Sequence, residues 1–130
     1  MAGSFSDYLE DKLLKHVFTN TAYTSPTSLY VALYTVAPSD TGGGTEVSGG
    51  SYTRKVATFT VSGTSTLATN SAAIEYDAAT ASWGTIVAVA IYDASTAGNF
   101  LAWADLTTSK AIDTGDILRI PSGDLDITLS

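Results

Sequence analysis

The period of the hydrophobic positions changes once along the chain. From residue 4 to 18, Phe5, Tyr8, Leu9, Leu13, His16 and Val17 recur at three- and four-residue spacing, which lays an apolar stripe along one side of an α-helix. Ser4 is the candidate N-cap. Asp7 and Glu10 follow in or near the first turn, and Lys12 and Lys15 come later, an order that suits the helix dipole. The pattern predicts a helix over 4–18, whose stripe must be covered either by this chain's own sheet or by a neighbouring subunit.

Beyond a turn region at 20–26 the period becomes two. In the run 28–36, Leu29, Val31 and Leu33 alternate with Tyr30, Ala32 and Tyr34, so both faces of the predicted strand are fairly apolar. Such a strand lies inside a layered structure or turns its outer face to a partner. Further strand-like runs follow at 52–61, 72–76, 85–92, 99–106, 117–120 and 125–129, separated by Gly, Asp, Ser and Asn clusters. Residues 86–92 are apolar on both faces and read as the central strand. Residues 93–99 supply a hairpin-type loop, and Pro121 falls in the short link between the last two runs, where a missing N–H does little harm. No helix-length segments separate the strands, which excludes a parallel βαβ architecture. The expected fold is all-β: one domain over 1–130, with a helix at 4–18 and an antiparallel β-sandwich with jelly-roll-like connections over 28–129.

Residues 37–50 hold Pro38, Asp40 and five glycines, a composition too permissive for regular structure. A loop this long is expected at the surface, mobile, and in contact with a partner through Thr45 and Glu46.

A chain of 130 residues is long enough to bury one core, and with no Cys it must hold by packing and backbone pairing. The formal net charge is −7. In the second half Glu75, Asp77, Asp93, Asp105, Asp113, Asp116, Asp124 and Asp126 face only Lys110 and Arg119. Such a surface repels phosphate backbones, which argues against nucleic acid as a partner. No apolar run reaches membrane-spanning length and no signal-peptide layout is present, so membrane attachment and export are not expected either.

Reacting groups are scarce. His16 is the only histidine and lies on or beside the apolar stripe, with no Cys or nucleophile motif to accompany it. Glu75 with Asp77, and Asp124 with Asp126, alternate as paired carboxylates, but i, i+2 placement is what a solvated strand face also produces. The acidic loops lack the ligand alternation of a calcium loop, and Gly42–Gly44 with Gly49 and Gly50 match no phosphate-binding pattern. The residues read as non-enzymatic, with no catalytic or metal site and no cofactor. The aromatics supply strand and core packing and, where exposed, a contact surface for glycan or protein. The surfaces expected to supply subunit contacts are the helix stripe with Tyr8 and the two-sided strand with Tyr30 and Tyr34.

Four stretches carry a resemblance: Gly-Ser-Phe-Ser-Asp-Tyr-Leu-Glu at 3–10, Leu-Tyr-Val-Ala-Leu-Tyr at 29–34, Ser-Gly-Gly-Ser-Tyr-Thr-Arg at 48–54 and Ala-Ser-Trp-Gly-Thr at 81–85. With the closing Gly-Asp-Leu-Asp-Ile-Thr-Leu they resemble a family of small β-rich virion proteins of tailed bacteriophages, tail-fibre-like or capsid decoration proteins. The resemblance implies a virion structural module, assembled in the host cytoplasm, without catalytic residues. Its leading implication is a capsid cement or decoration protein that binds the major capsid protein lattice as a dimer or trimer of itself. The alternative is a tail-fibre or baseplate-associated module that binds host surface glycans.

Overall fold

The two runs that are apolar on both faces become neighbours at the centre of the fold. In a computed structural model that describes residues 2–63 and 66–128, β2 (Leu29–Val36) pairs antiparallel with β8 (Gly84–Tyr92), from Tyr30 opposite Tyr92 to Tyr34 opposite Ala88. On the far side of β8 runs β9 (Phe100–Ile112), again antiparallel. Val31, Ala32, Leu33, Ala88, Val89 and Ala90 are buried on both sides of the sheet. One face carries Val31, Leu33, Val89 and Ile91; the other carries Ala32, Ala88 and Ala90 framed by Tyr34, Tyr92, Phe100 and Trp103.

The remaining strands are β1 (Ala2–Phe5), β3 (Thr45–Glu46), β4 (Lys55–Ala57), β5 (Phe59–Thr60), β6 (Leu67–Asn70), β7 (Ile74–Glu75), β10 (Arg119–Ile120) and β11 (Asp126–Thr128), with one helix, α1 (Asp7–Phe18). The main sheet runs β3-β2-β8-β9-β1-β11-β6-β5, with β4 beside β3 along the same edge of β2; β7 and β10 form a separate two-stranded sheet. Leu29 of β2 and Phe59 of β5, far apart along that path, line one apolar groove with Ile127, so the sheet curls around its core. The chain is all-β with a single helix. Its strand order describes one curled nine-stranded sheet and a small second one. Among the described residues all pairs are antiparallel except one: β1 lies antiparallel to β9 and parallel to β11.

Local chemistry moves several boundaries. The cap of α1 is Ser6, not Ser4: the buried Ser6 Oγ accepts from the Leu9 N–H (3.2 Å) and donates to the Phe100 carbonyl (2.6 Å). Ser4 belongs to β1. The helix stripe is covered only in part. Leu9 meets the apolar groove, whereas His16 and Val17 of the stripe are exposed, as are Leu14 and Phe18 beside it, Phe18 at 79%. The run 52–61 divides into β4 and β5, and the last expected strand ended at Leu129, which lies outside the described residues.

Residues 37–50 are tied to the fold by hydrogen bonds. The Asp40 carbonyl accepts from the Asp7 N–H (2.8 Å), and its Oδ1 accepts from Trp103 Nε1 (2.8 Å). Ser39 and Gly42 exchange backbone hydrogen bonds, β3 pairs with β2, and Val47 is buried.

Over the other face of the main sheet lies an aromatic group. The Trp83 ring meets Tyr52 and Tyr76 edge-on, with centroids 5.6 and 6.4 Å away, and the Tyr76 hydroxyl donates to the Val31 carbonyl at 2.6 Å. Trp83 Nε1 donates to the Gly50 carbonyl (2.9 Å). Gly50 sits at φ +58°, and a Cβ there would fall 2.8 Å from that same indole nitrogen, so only glycine fits.

Candidate functional site

Residues 46–54 and 93–98 meet around one side chain. Arg54 precedes β4, and its guanidinium reaches into both segments. Nε donates to Glu46 Oε2 (2.8 Å) and Nη2 to Glu46 Oε1 (2.9 Å), a two-pronged ion pair. Nη1 donates to the carbonyls of Ala94 (3.1 Å) and Ala97 (2.8 Å). The guanidinium carbon lies 3.8 Å from the centre of the Tyr92 ring, a cation–π stack. The side chain is only 8% exposed, with its charge fully engaged inside the chain.

Glu46 accepts a third hydrogen bond, from the Tyr52 hydroxyl (2.7 Å), which in turn accepts from the Leu33 N–H (3.0 Å). Burial alone would raise the Glu46 carboxyl. The hydrogen bonds from Arg54 and Tyr52, with the Arg54 charge, outweigh it and hold the group below its ordinary value. The same burial, reinforced by the bond to Glu46, pushes the Tyr52 hydroxyl far above its ordinary value. Neither group is poised for proton transfer near neutral pH.

The second segment is equally fixed. Asp93 accepts from the Asn99 N–H (2.7 Å) and from the Asn99 amide (2.8 Å). Gly98, at φ +78°, passes so close that a Cβ would come within 2.7 Å of Asp93 Oδ1. Between the two segments lies an open groove of about 330 Å³, bordered by Ser48, Tyr52, Thr53, Arg54, Ser95 and Thr96.

The residues expected at an interface take different places. Thr45 is exposed in β3, and Glu46 borders the groove with its carboxylate committed to Arg54 and Tyr52. Tyr30 is half-buried on β2. Tyr34 is buried, 4% exposed, with its hydroxyl bonded to that of Tyr92, so it packs inside the chain and offers no free surface. Tyr8 is half-buried on α1, with the Lys12 ammonium 5.5 Å from its ring centre. Arg54 was not singled out by sequence reasoning, although it closes the Ser-Gly-Gly-Ser-Tyr-Thr-Arg motif. The available signal was an Arg directly after Tyr52 and Thr53 in a chain with few basic residues.

Other polar groupings are simpler. His16 is exposed on α1, and its Nδ1 accepts from the Tyr23 N–H (3.1 Å). Asp7, Glu10 and Asp40 bring carboxylate oxygens within 4.8 Å of one another, and together they could ligate a cation. Asp7 and Glu10 also favour the N-terminal end of α1 through its dipole, and Asp40 ties the 37–50 loop to Trp103. Asp124 and Asp126 border a separate open cleft of about 450 Å³, opposite Thr107, Thr108 and Lys110. Its wall is an irregularity in β9: Lys110 lies opposite Ile86 and Asp105 opposite Ala88, so residues 106–109 face Val87 alone. Glu75 is paired with Arg119 through β7 and β10 and does not join that cleft.

No curated protein matches this sequence. A family model described as Podophage GP4 fiber I protein gp80 matches residues 4–128, from β1 through β11, and so includes every segment that builds the Arg54 groove. The chain therefore belongs to the Podophage GP4 fiber I protein gp80 family, a family of tailed-phage virion fibre proteins.

Proposed function

We propose that the chain serves in the fibre apparatus of the virion, as a tail-fibre or baseplate-associated module that contacts glycans on the host surface. The observation that carries this reading is the family match over residues 4–128, since the family is described by a fibre protein. It favours the fibre alternative over a cement protein bound to the major capsid protein lattice. The geometry supports it too. A receptor contact gains from a surface that holds its shape before the ligand arrives, and the Arg54 and Asp93 networks keep two loops in place at a groove.

The same reading is non-catalytic. The Arg54–Glu46 pair is committed to structure, His16 sits exposed on a helix without a nucleophile beside it, and Asp124 with Asp126 border an open, solvated cleft. We assign the exposed end of α1, with Leu14, Val17 and Phe18, to packing against a second copy of the chain.

Electron microscopy of virions labelled with gold-conjugated antibody against this chain tests the assignment. Label is expected at the tail. Label spread over the shell would restore the cement reading and remove this one.

A further inference from the structure

We infer that the groove between residues 46–54 and 95–97 is a subsite for a neutral sugar ring of a host-surface glycan. This deepens the fibre reading and rests on it. Ser48, Thr53, Ser95 and Thr96 border the groove and are exposed, and none of their side chains hydrogen-bonds to another group among the described residues. Four uncommitted hydroxyls on one concavity, each able to donate and accept, match a ligand that is itself a ring of hydroxyls.

Charge defines the class. The two ionised groups at the groove are Arg54 and Glu46, and they neutralise one another. Arg54 directs its donors to Glu46, Ala94 and Ala97, so no guanidinium fork remains to grip a carboxylate or phosphate. A net charge of −7 further disfavours an anionic ligand. Sialic acids, uronic acids and phosphorylated sugars are therefore poor fits, and neutral sugars are good ones. Tyr52 adds the apolar element: its half-buried ring borders the groove, and its hydroxyl is held by Glu46 and Leu33. Its ring also packs on Tyr76 and Trp83, so only the part left exposed at the groove can meet the C–H side of a sugar ring.

Size limits the occupant. A volume of about 330 Å³ lies at the lower end of the roughly 300–1,000 Å³ common for ligand pockets, so a single ring is held rather than a long oligosaccharide. One shallow contact is weak alone. Several copies on one particle engaging a repetitive polysaccharide would supply the avidity. The cleft at Asp124 and Asp126 is the poorer candidate for a neutral ring, because two carboxylates and the Lys110 ammonium border it and, among the described residues, no aromatic does.

The test is an NMR titration of the full chain with glucose, galactose, mannose, N-acetylglucosamine and N-acetylneuraminic acid, followed by purified host-envelope polysaccharide. At least one neutral sugar is expected to shift amide signals of residues 48–53 and 95–97, with N-acetylneuraminic acid leaving them in place. Thr53→Val and Thr96→Val should each weaken that sugar about fivefold, the worth of one neutral hydrogen bond, with an unchanged unfolding midpoint. Three results would overturn the inference: shifts confined to the 106–110 and 123–126 cleft, preference for the acidic sugar, or no response to any neutral sugar or to the polysaccharide. Antibody label at the tail together with no sugar response would remove the subsite and leave the fibre reading. Label on the shell together with sugar shifts at the groove would remove the fibre reading and leave the subsite.

Discussion

Arg54 concentrates more of the architecture than any other charged residue described. Four of its N–H groups are aimed at fixed oxygens in two separate segments while its plane lies on Tyr92. A lysine in its place would supply one point charge and could not span those directions. The dependence on Glu46 has a defined pH signature. Because the folded-state pKa of Glu46 is lowered, the stability it contributes is fully present above the unfolded-state value of about 4.3 and is lost as pH falls through the lower folded value. Glu46→Gln should therefore destabilise the chain by about 2–3 kcal/mol at pH 7, since it weakens charge-assisted bonds to a nearly buried guanidinium. Urea unfolding across pH should show the gap between the two proteins closing below about pH 4. A gap that stays constant with pH would mean the carboxylate charge is not what holds Arg54.

At the scale of elements, the least conspicuous strand is fixed by the most fully used side chain. Asn70 ends β6 and is 1% exposed. Its Nδ2 donates to the carbonyls of Ala72 and Pro121, both at 2.9 Å, and its Oδ1 accepts from the Gly123 and Leu125 N–H groups. Asn70→Ala leaves the N–H of the fully buried Leu125 without its acceptor and empties a buried side-chain site, while the Gly123 N–H keeps the main-chain carbonyl of residue 70. The expected loss is about 2–4 kcal/mol, read by chemical denaturation, with faster amide exchange in β6 and β11 than in β2 and β8. These elements also show what the sequence made visible. β2 and β8 were legible because a buried, two-sided strand must be apolar at nearly every position. α1 was legible from its stripe and its charge order, although two serines compete for the cap and only Ser6 reaches the Phe100 carbonyl. β6, written Leu-Ala-Thr-Asn, carries no such signal, because its place comes from backbone pairing with β11, more than fifty residues away in sequence, together with Asn70. The Arg54 groove was illegible for a similar reason: it is made where two distant loops meet, and one of its borders, 93–98, reads as an ordinary turn.

For the whole molecule, the curled sheet sets which tyrosines can meet base. Tyr34, Tyr52 and Tyr76 are all held above the ordinary value, by burial first and then by neighbouring hydroxyl or carboxylate groups. In the unfolded chain they ionise near pH 10. Raised folded-state values mean that the stability they contribute is complete below about pH 10 and declines above it, because only the unfolded chain can release those protons freely. An alkaline titration followed by tyrosinate absorbance and circular dichroism should show these three of the seven tyrosines ionising only as the sheet is lost. Simple titration of all seven near pH 10 with the fold intact would contradict the burial of the three.

The parallel seam between β1 and β11 also orders events in time. β1 leaves the ribosome ahead of every other strand described, yet Gly3 has its sheet partners at Ala104 and Ile127. Until β9 and β11 have been made it is a strand without a neighbour, and helix α1, anchored through Ser6 to Phe100 and Leu101, waits with it. The sheet cannot close until β11 has been made, and an unpaired strand edge stays open to chaperones and to sister chains until then.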